Sequence, residues 1–232
     1  MIWFNKISSD DMNVVVEYYP ELYVPKRKIE SVSIPGRNGD ILFIQDAYEN
    51  EPRTYDIYIS AKDIKLHTVA HKVAAWLLQK GYLRLEDTYE PEYYRLAYFA
   101  GGFDIENLLD EFGRTSITFS CKPQKFLKRG ENVITVTKGQ TLRNPTAYSS
   151  KPLIRVNGSG NGVLTINGNN INLTGISEYL YIDSDIMDCY KGTENCNNKM
   201  TGEFPELVSG NNVITWSGNI TGVQLTPRWF TI

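Results

Sequence analysis

One stretch of this 232-residue chain, residues 60–81, has a clear helical pattern, and nearly everything else is typical of short strands and turns. Ser60 and Asp63 suit the N-cap, and Lys80-Gly81 suits the C-terminal stop, which predicts a helix over residues 62–80. A lone amphipathic helix must bury its apolar stripe, so the flanking strands have to supply its partner. The stripe follows three- and four-residue spacing and comprises Leu66, Ala70, Val73, Ala74, Leu77 and Leu78.

The residues around this helix predict strands. Residues 29–34 alternate with period two, as in a strand with one buried and one wet face, and Asn38-Gly39 is a strong tight-turn dipeptide. Residues 92–99 are the expected hairpin partner of residues 82–87, and Pro123 is expected to end the last strand. The predicted strands of this half are 13–18, 29–34, 41–44, 54–59, 82–87, 92–99 and 113–123.

Residues 125–150 differ in composition, and we place a domain boundary there, giving domains 1–127 and 128–232. Whether residues 132–136 pair backward or forward stays open. The glycine-rich stretch 157–162 is followed by a strand rather than a helix, so it predicts a hairpin turn and not a phosphate-binding loop. Short strands at regular spacing predict an antiparallel sandwich, at 152–156, 162–166, 170–173, 179–183, 211–216 and 222–229.

The net charge of −3 and the pI near 5.5 show no basic footprint for nucleic acid or an anionic membrane surface. No apolar run approaches the roughly 20 residues that cross a bilayer, so no membrane insertion is expected. The first residues lack the pattern of a signal peptide, which predicts a protein made in the cytosol with reduced thiols. These thiols belong to Cys121, Cys189 and Cys196.

Two histidines, His67 and His71, lie four positions apart, the spacing that places two imidazoles on one face of a helix. A metalloprotease motif requires glutamate after the first histidine, and Thr68 stands there. A solvated helix face is therefore expected, and we predict no metal site, no cofactor site and no catalytic residues. Neither cysteine pair fits a metal knuckle or a redox motif.

Three acidic residues, Asp183, Asp185 and Asp188, lack the glycine and the distal glutamate of a calcium loop and predict an acidic turn at a strand end. Nothing singles out a pair of carboxylates for glycoside hydrolysis, so an enzyme is the less favoured class. Aromatic side chains that could form a platform for sugar rings, or instead fill a core, occur at Trp216, Trp229 and residues 179–190.

Twelve short motifs occur in one order along nearly the whole chain, and together they resemble the distal tail protein (Dit) family of long, flexible-tailed bacteriophages, the siphophages. Each motif alone is weak, and the order makes the resemblance specific. The motifs are residues 34–39, 76–77, 85–87, 94–95, 113–114, 118–123, 152–160, 182–185, 188–190, 202–207, 210–212 and 227–229.

This resemblance implies a mainly β structural protein: an N-terminal β-barrel-like domain, or split barrel, with one α-helix, and a C-terminal galectin-like antiparallel β-sandwich. It also implies a homohexameric ring that joins the tail tube protein to the tail tip or baseplate proteins, with a channel through which DNA passes, in a virion assembled in the cytoplasm of the bacterial host. Receptor-binding proteins are further implied partners.

Two other functions remain open at this point. A galectin-like carbohydrate-binding module that recognises host-surface glycans would show saturable glycan affinity as a monomer. A β-sandwich glycosidase would show turnover that a single carboxylate substitution abolishes.

Overall fold

The computed structural model describes residues 1–18, 20–61, 65–99, 101–102, 106–109 and 112–232, with the backbone alone over 106–109. The chain divides into two compact units, Met1–Lys125 with Ile232, and Phe126–Thr231. Each unit has its own cluster of buried apolar side chains. Among the described residues, no helix is both long enough and apolar enough to span a bilayer.

The first unit is a curled, open sheet with one helix. Its strands follow the order β2-β1-β7-β8-β10-β6-β3, with β9 also paired to β10, and β4 and β5 form a separate two-stranded sheet. In chain order the elements are β1 (Ile2–Phe4), β2 (Ile7–Ser8), a 3-10 helix (Asp10–Met12), β3 (Val14–Val16), β4 (Arg27–Val32), β5 (Ile41–Tyr48), β6 (Glu51–Ser60), α1 (Leu66–Leu77), β7 (Leu83–Asp87), β8 (Tyr93–Phe99), β9 (Glu106–Leu109) and β10 (Phe112–Leu127).

The helix begins later than predicted. Ser60 is not its N-cap, because β6 continues through Ser60, where it still pairs with β10. Lys65 takes the N-cap position with an extended backbone. Residues 62–64 of the predicted helix lie outside the described residues. A strand with a long pairing partner therefore prevails over a good capping residue.

The end and the buried face of α1 also differ from the prediction. The helix ends at Leu77, so Lys80 and Gly81 lie beyond it, and Leu78 is 63% exposed. The large indole of Trp76, which is not part of the predicted stripe, is buried. The buried residues of the helix are Val69, Val73, Trp76 and Leu77.

Aromatic packing fixes α1 on the sheet. The rings of Phe4 and Phe119 lie with centroids 4.9 Å apart, and Trp76 meets Phe4 edge to face at 6.5 Å. The Trp76 Nε1–H donates to the carbonyl oxygen of Phe4 at 3.1 Å, so the buried indole keeps a hydrogen-bond partner. Helix and sheet thus share one core, as the lone amphipathic helix required.

The predicted hairpin of 82–87 and 92–99 is confirmed, with Leu83 opposite Ala97 in β7 and β8. The prediction that Pro123 ends its strand is wrong, since β10 runs on to Leu127. Pairing of β10 with β6 stops at Cys121, so the missing N–H of Pro123 falls where β6 no longer needs a donor.

The second unit is built on three long antiparallel strands, in the order β11-β18-β13-β14-β15-β16, with β12 paired to β18 and β17 to β14. The segment 132–136 pairs forward, since β11 lies against β18. In chain order the elements are a 3-10 helix (Lys128–Glu131), β11 (Ile134–Val136), β12 (Gln140–Asn144), β13 (Leu153–Ile166), β14 (Asn169–Asp183), β15 (Asp188–Lys191), β16 (Glu194–Asn195), a 3-10 helix (Asn197–Lys199), β17 (Met200–Thr201), β18 (Gly210–Thr226) and β19 (Phe230–Thr231).

The predicted short strands of this unit are joined in pairs into β13, β14 and β18. A two-residue turn at Asn167 and Gly168, both with positive φ, connects β13 to β14. Side chains from both halves of each long strand enter one buried cluster, so the sheet bends over itself to make the predicted antiparallel sandwich.

The prediction of a hairpin turn at 157–162 is wrong, because this stretch lies inside β13. The register between β13 and β18 shifts there, and the backbones approach closely. A Cβ atom on Gly158 would lie 2.5 Å from the Asn219 carbonyl oxygen, and one on Gly218 would lie 2.7 Å from that of Asn161. The glycines mark a bulge and a close crossing of two strands. In the sequence alone, glycines in such a place look like those of a turn.

This close crossing predicts that Gly158→Ala destabilises the second unit by about 1–3 kcal/mol, the usual cost of overpacking. Thermal unfolding followed by near-UV circular dichroism measures the effect, with hydrogen exchange locating it in β13. Gly222→Ala is the matched control, since its Cβ would meet only Asn157 Nδ2 at 3.9 Å. Equal loss of stability in both variants would contradict the close-crossing explanation.

Candidate interaction surface

Strands β4 and β5 form a hairpin that pairs with no other strand among the described residues. Ile29 lies opposite Ile44, and Val32 lies opposite Ile41. The connecting turn contains Gly36 at φ 83° and Gly39 at φ 80°, conformations that L side chains rarely adopt. The predicted turn dipeptide Asn38-Gly39 thus lies in the connection between the two strands.

Five apolar side chains of this hairpin are between 48% and 56% exposed. They lie on both faces, because residues that are opposite each other share a face and neighbours along a strand do not. Every residue of β4 is exposed, so the prediction of one buried face is wrong for the single chain. We call these five residues the hairpin surface: Ile29, Val32, Leu42, Phe43 and Ile44.

The hairpin surface is costly to leave in water. Buried apolar area stabilises by roughly 25 cal/mol per Å², and an isolated two-stranded hairpin is marginal in water. Two side-chain hydrogen bonds between its strands are exposed to solvent: Gln45 donates to Glu30 at 3.3 Å, and Arg27 donates to the Tyr48 hydroxyl at 3.3 Å. Exposed apolar side chains that are grouped in this way are typical of interaction sites. The hairpin surface is therefore a candidate interaction surface.

A buried group of charged side chains links β6 to β7. Arg53 donates to Asp87 Oδ2 through Nη2 at 2.7 Å and through Nε at 3.0 Å. The Tyr55 hydroxyl donates to the same oxygen at 2.7 Å. Both charged side chains are at most 5% exposed. Asp87 is one of the motif residues that carry the resemblance, and its place in the structure is a buried structural contact.

Three further contacts extend this group to β8 and β10. Arg95 donates to Glu51 Oε1 at 3.0 Å, and Glu90 accepts from Arg95 at 2.5 Å and from Lys125 at 2.7 Å. With Arg53 and Asp87, three cations face three carboxylates, and the charges balance. We call these six residues the charge network: Glu51, Arg53, Asp87, Glu90, Arg95 and Lys125.

The protonation states of the charge network follow from its contacts. Burial by itself would raise the pKa of Asp87, but the Arg53 charge, the Glu90 N–H and the Tyr55 hydroxyl outweigh it and lower that pKa. Burial, reinforced by Asp87, raises the pKa of Tyr55 well above its ordinary value. Asp87 is therefore ionised and Tyr55 neutral at pH 7, as their hydrogen bond requires.

The histidines that were considered for metal chemistry lie on the helix and belong to neither the hairpin surface nor the charge network. His67 and His71 are both exposed on α1, and no group of three or more potential ligands comes together among the described residues. The cysteines are buried and free, as expected. Burial raises the pKa of the Cys121 thiol to about 12 and that of Cys189 to about 11, so both are protonated at pH 7.

The acidic stretch after β14 is a strand-end turn, as predicted. Asp183 accepts two hydrogen bonds from Arg228, at 2.6 and 2.9 Å, and one from the Asp185 N–H at 3.0 Å. The possible sugar platform of Trp216 and Trp229 is not available, since they are only 9% and 7% exposed. The tyrosines of 179–190 differ, because Tyr179, Tyr181 and Tyr190 are partly exposed and contact one another.

The first unit of the chain matches a known protein family. Residues 10–121 match the family model described as the phage tail protein RIFT-related domain, Sipho_tail. This range contains the whole hairpin and all of the charge network except Lys125. No curated protein sequence matches the chain significantly.

Among solved structures, the chain is similar to the crystal structure of SPP1 Dit (gp 19.1), described as a paradigm of the hub adsorption apparatus in phages that infect Gram-positive bacteria. The TM-score is 0.81, the alignment covers 100% of this chain and 98% of that one, and the sequences are 10% identical. At this identity the likeness shows the fold: mainly β, with a half-barrel sheet, one helix and a second β unit.

Proposed function

Because this chain carries a phage tail protein RIFT-related domain and its resemblance to the siphophage distal tail proteins is confirmed, we propose that it is the structural hub of a long, flexible phage tail. It forms a hexameric ring that joins the tail tube to the tail tip or baseplate and lets DNA pass. The observation that carries the ring is the hairpin surface, which the described part of the chain leaves exposed.

Closure of a ring from identical copies requires a heterologous interface, in which one surface meets a different surface of the next copy. A two-sided apolar hairpin suits such an interface, because it can pack against a neighbour on both faces. Domain 1–127 is therefore the proposed ring-forming part. Domain 128–232 is the proposed galectin-like sandwich that carries adhesion components.

The proposed partners are the tail tube protein, the tail-tip or tail-associated protein and the receptor-binding proteins, in a virion assembled in the host cytoplasm. DNA is a passing cargo rather than a ligand. A net charge of −3 fits this role, because contacts between cations and phosphates drive non-specific binding to DNA. The proposal assigns no catalytic, metal or cofactor site and no membrane insertion.

Native mass spectrometry with negative-stain images of the full chain tests this proposal. The expected result is a species of six chains with sixfold symmetry and an open centre. If the chain alone is monomeric, the same measurement is made with the tail tube protein added. A monomer under both conditions would contradict the ring.

A further inference from the structure

The second unit presents a row of polar and aromatic side chains across five neighbouring strands. Pairing register places Arg155 of β13 opposite Tyr181 of β14 on one side and opposite Gln224 of β18 on the other. Tyr181 lies opposite Tyr190, and Gln224 lies opposite Thr135. Residues directly opposite one another share a face of a sheet, so all five side chains lie on one face.

Arg155, at the centre of this row, has no polar partner in the part of the chain that the structure describes. Its guanidinium carbon lies 4.4 Å from the ring centroid of Tyr179 and 5.9 Å from that of Tyr181. Its Nε is buried and has no hydrogen-bond partner among the described residues. Leaving a buried donor unpaired costs about 1–3 kcal/mol, more for a charged group. The tyrosine rings hold the guanidinium in place, while its buried Nε–H finds no acceptor among the described residues.

A cavity of about 200 Å³ lies beside this guanidinium. Its size is below the roughly 300–1,000 Å³ of pockets for drug-sized ligands, so it suits a single ring. Gln224 uses its Nε2 to donate to Thr135 at 3.4 Å, which leaves its carbonyl oxygen able to accept from a ligand hydroxyl. The cavity is lined by Val133, Leu153, Arg155, Tyr181, Gln224, Leu225 and Thr226.

The other charged groups near this row are engaged. Lys191 pairs with Glu178 at 3.0 Å, and Arg228 pairs with Asp183 at 2.6 Å. Asp188 of β15 accepts from Asn195 Nδ2 at 2.8 Å. Arg155 has no counter-charge among the described residues, so the ligand that complements the cavity carries a negative group.

We propose that this cavity binds a monosaccharide unit that carries a carboxylate or phosphate group. The guanidinium of Arg155 pairs with the anion, as arginine does in bidentate recognition of both groups. The apolar walls at Val133 and Leu153 and the ring of Tyr181 pack against the sugar ring. Gln224 orients its hydroxyl groups. This site adds host-surface recognition to the proposed hub, and it does not depend on ring formation.

Isothermal titration calorimetry and saturation-transfer NMR on the full chain test the site. The probes are glucuronate for the carboxylate, glucose 6-phosphate for the phosphate, glucose as the neutral sugar, and acetate and inorganic phosphate as simple anions. One charged sugar is expected to bind with a Kd of about 1 mM and glucose at least about tenfold more weakly. Which charged sugar binds identifies the anion.

Arg155→Met is expected to weaken that binding at least about tenfold, the size of one lost charge-assisted contact. Arg143→Met is the matched control, since Arg143 is an exposed arginine elsewhere in the same unit. Gln224→Leu keeps the charge and should weaken binding less, which serves if Arg155→Met fails to fold by circular dichroism. No binding of either charged sugar, equal binding of the simple anions, or unchanged binding by the folded Arg155 variant would overturn the proposal.

Discussion

Phe43→Asp is expected to abolish the proposed six-chain ring and leave folded monomers. Phe43 is 56% exposed in the single chain. The free energy of unfolding of the single chain therefore depends little on this side chain. In a ring, each copy would bury it against a neighbour, where a phenyl group contributes roughly 1.5–3 kcal/mol. Burying an unpaired carboxylate there adds a desolvation penalty, and the loss recurs at all six interfaces. Native mass spectrometry and light scattering measure the change in mass.

Ile186→Asp is the matched control for this prediction. Ile186 is 62% exposed in the turn between β14 and β15, and the substitution makes the same change from an apolar to a charged side chain. It is expected to keep the six-chain mass. Hydrogen exchange in β6 reports whether the first unit of the Phe43 variant is still folded. A folded Phe43→Asp variant that assembles like the control would rule out the hairpin surface as the ring interface.

The features of this fold that could be predicted from the sequence are the local ones. The alternation in residues 82–87 and 92–99 and the short break between them were enough to predict a hairpin. One helical stripe among many strands was enough for a mainly β fold with a single helix. The first residue of the helix was predicted wrongly, because the pairing of β6 through Ser60 depends on a strand more than fifty residues away.

The wrong predictions in the second unit and in the hairpin have one physical cause: a sequence does not show which segments lie against a given strand. Gly158 and Gly162 have the sequence character of a turn, yet they serve a close approach between two strands, which only the pairing of β13 with β18 reveals. Alternation in residues 29–34 indicated a strand correctly, but not whether anything covers it. The apolar residues Ile29 and Val32 fall on opposite faces, and that signal could have predicted a hairpin with two apolar faces.

The candidate sites depend on register, which a single sequence does not contain. Arg155, Tyr181 and Gln224 are separated by 26 and 43 positions and meet because three long strands pair in one alignment. The charge network likewise gathers residues from four strands and a turn. The motif 85–87 drew attention to Asp87 through the resemblance, but its partner Arg53 was not singled out.

Arg53→Met is expected to destabilise the first unit by about 3–5 kcal/mol, the usual cost of removing one partner of a buried ion pair. The substitution keeps most of the apolar volume but leaves Asp87 buried without its cation, with only the Tyr55 hydroxyl and nearby backbone N–H groups. In the folded variant, the Asp87 carboxylate is then either buried without a cation to offset its lost hydration, or it takes up a proton. Urea unfolding at one fixed chain concentration measures the change, and hydrogen exchange locates it in β6 and β7.

The cost of the lone carboxylate, rather than the strength of the ion pair, is what this substitution measures. Arg53→Met with Asp87→Asn removes both charges and is expected to recover at least about half of the loss, because paired buried charges repay little more than their desolvation. Arg84→Met, in the more exposed pair with Glu86, is expected to cost about 1 kcal/mol or less. If the double variant is as unstable as Arg53→Met, the loss lies in packing around Arg53 and not in an orphaned charge.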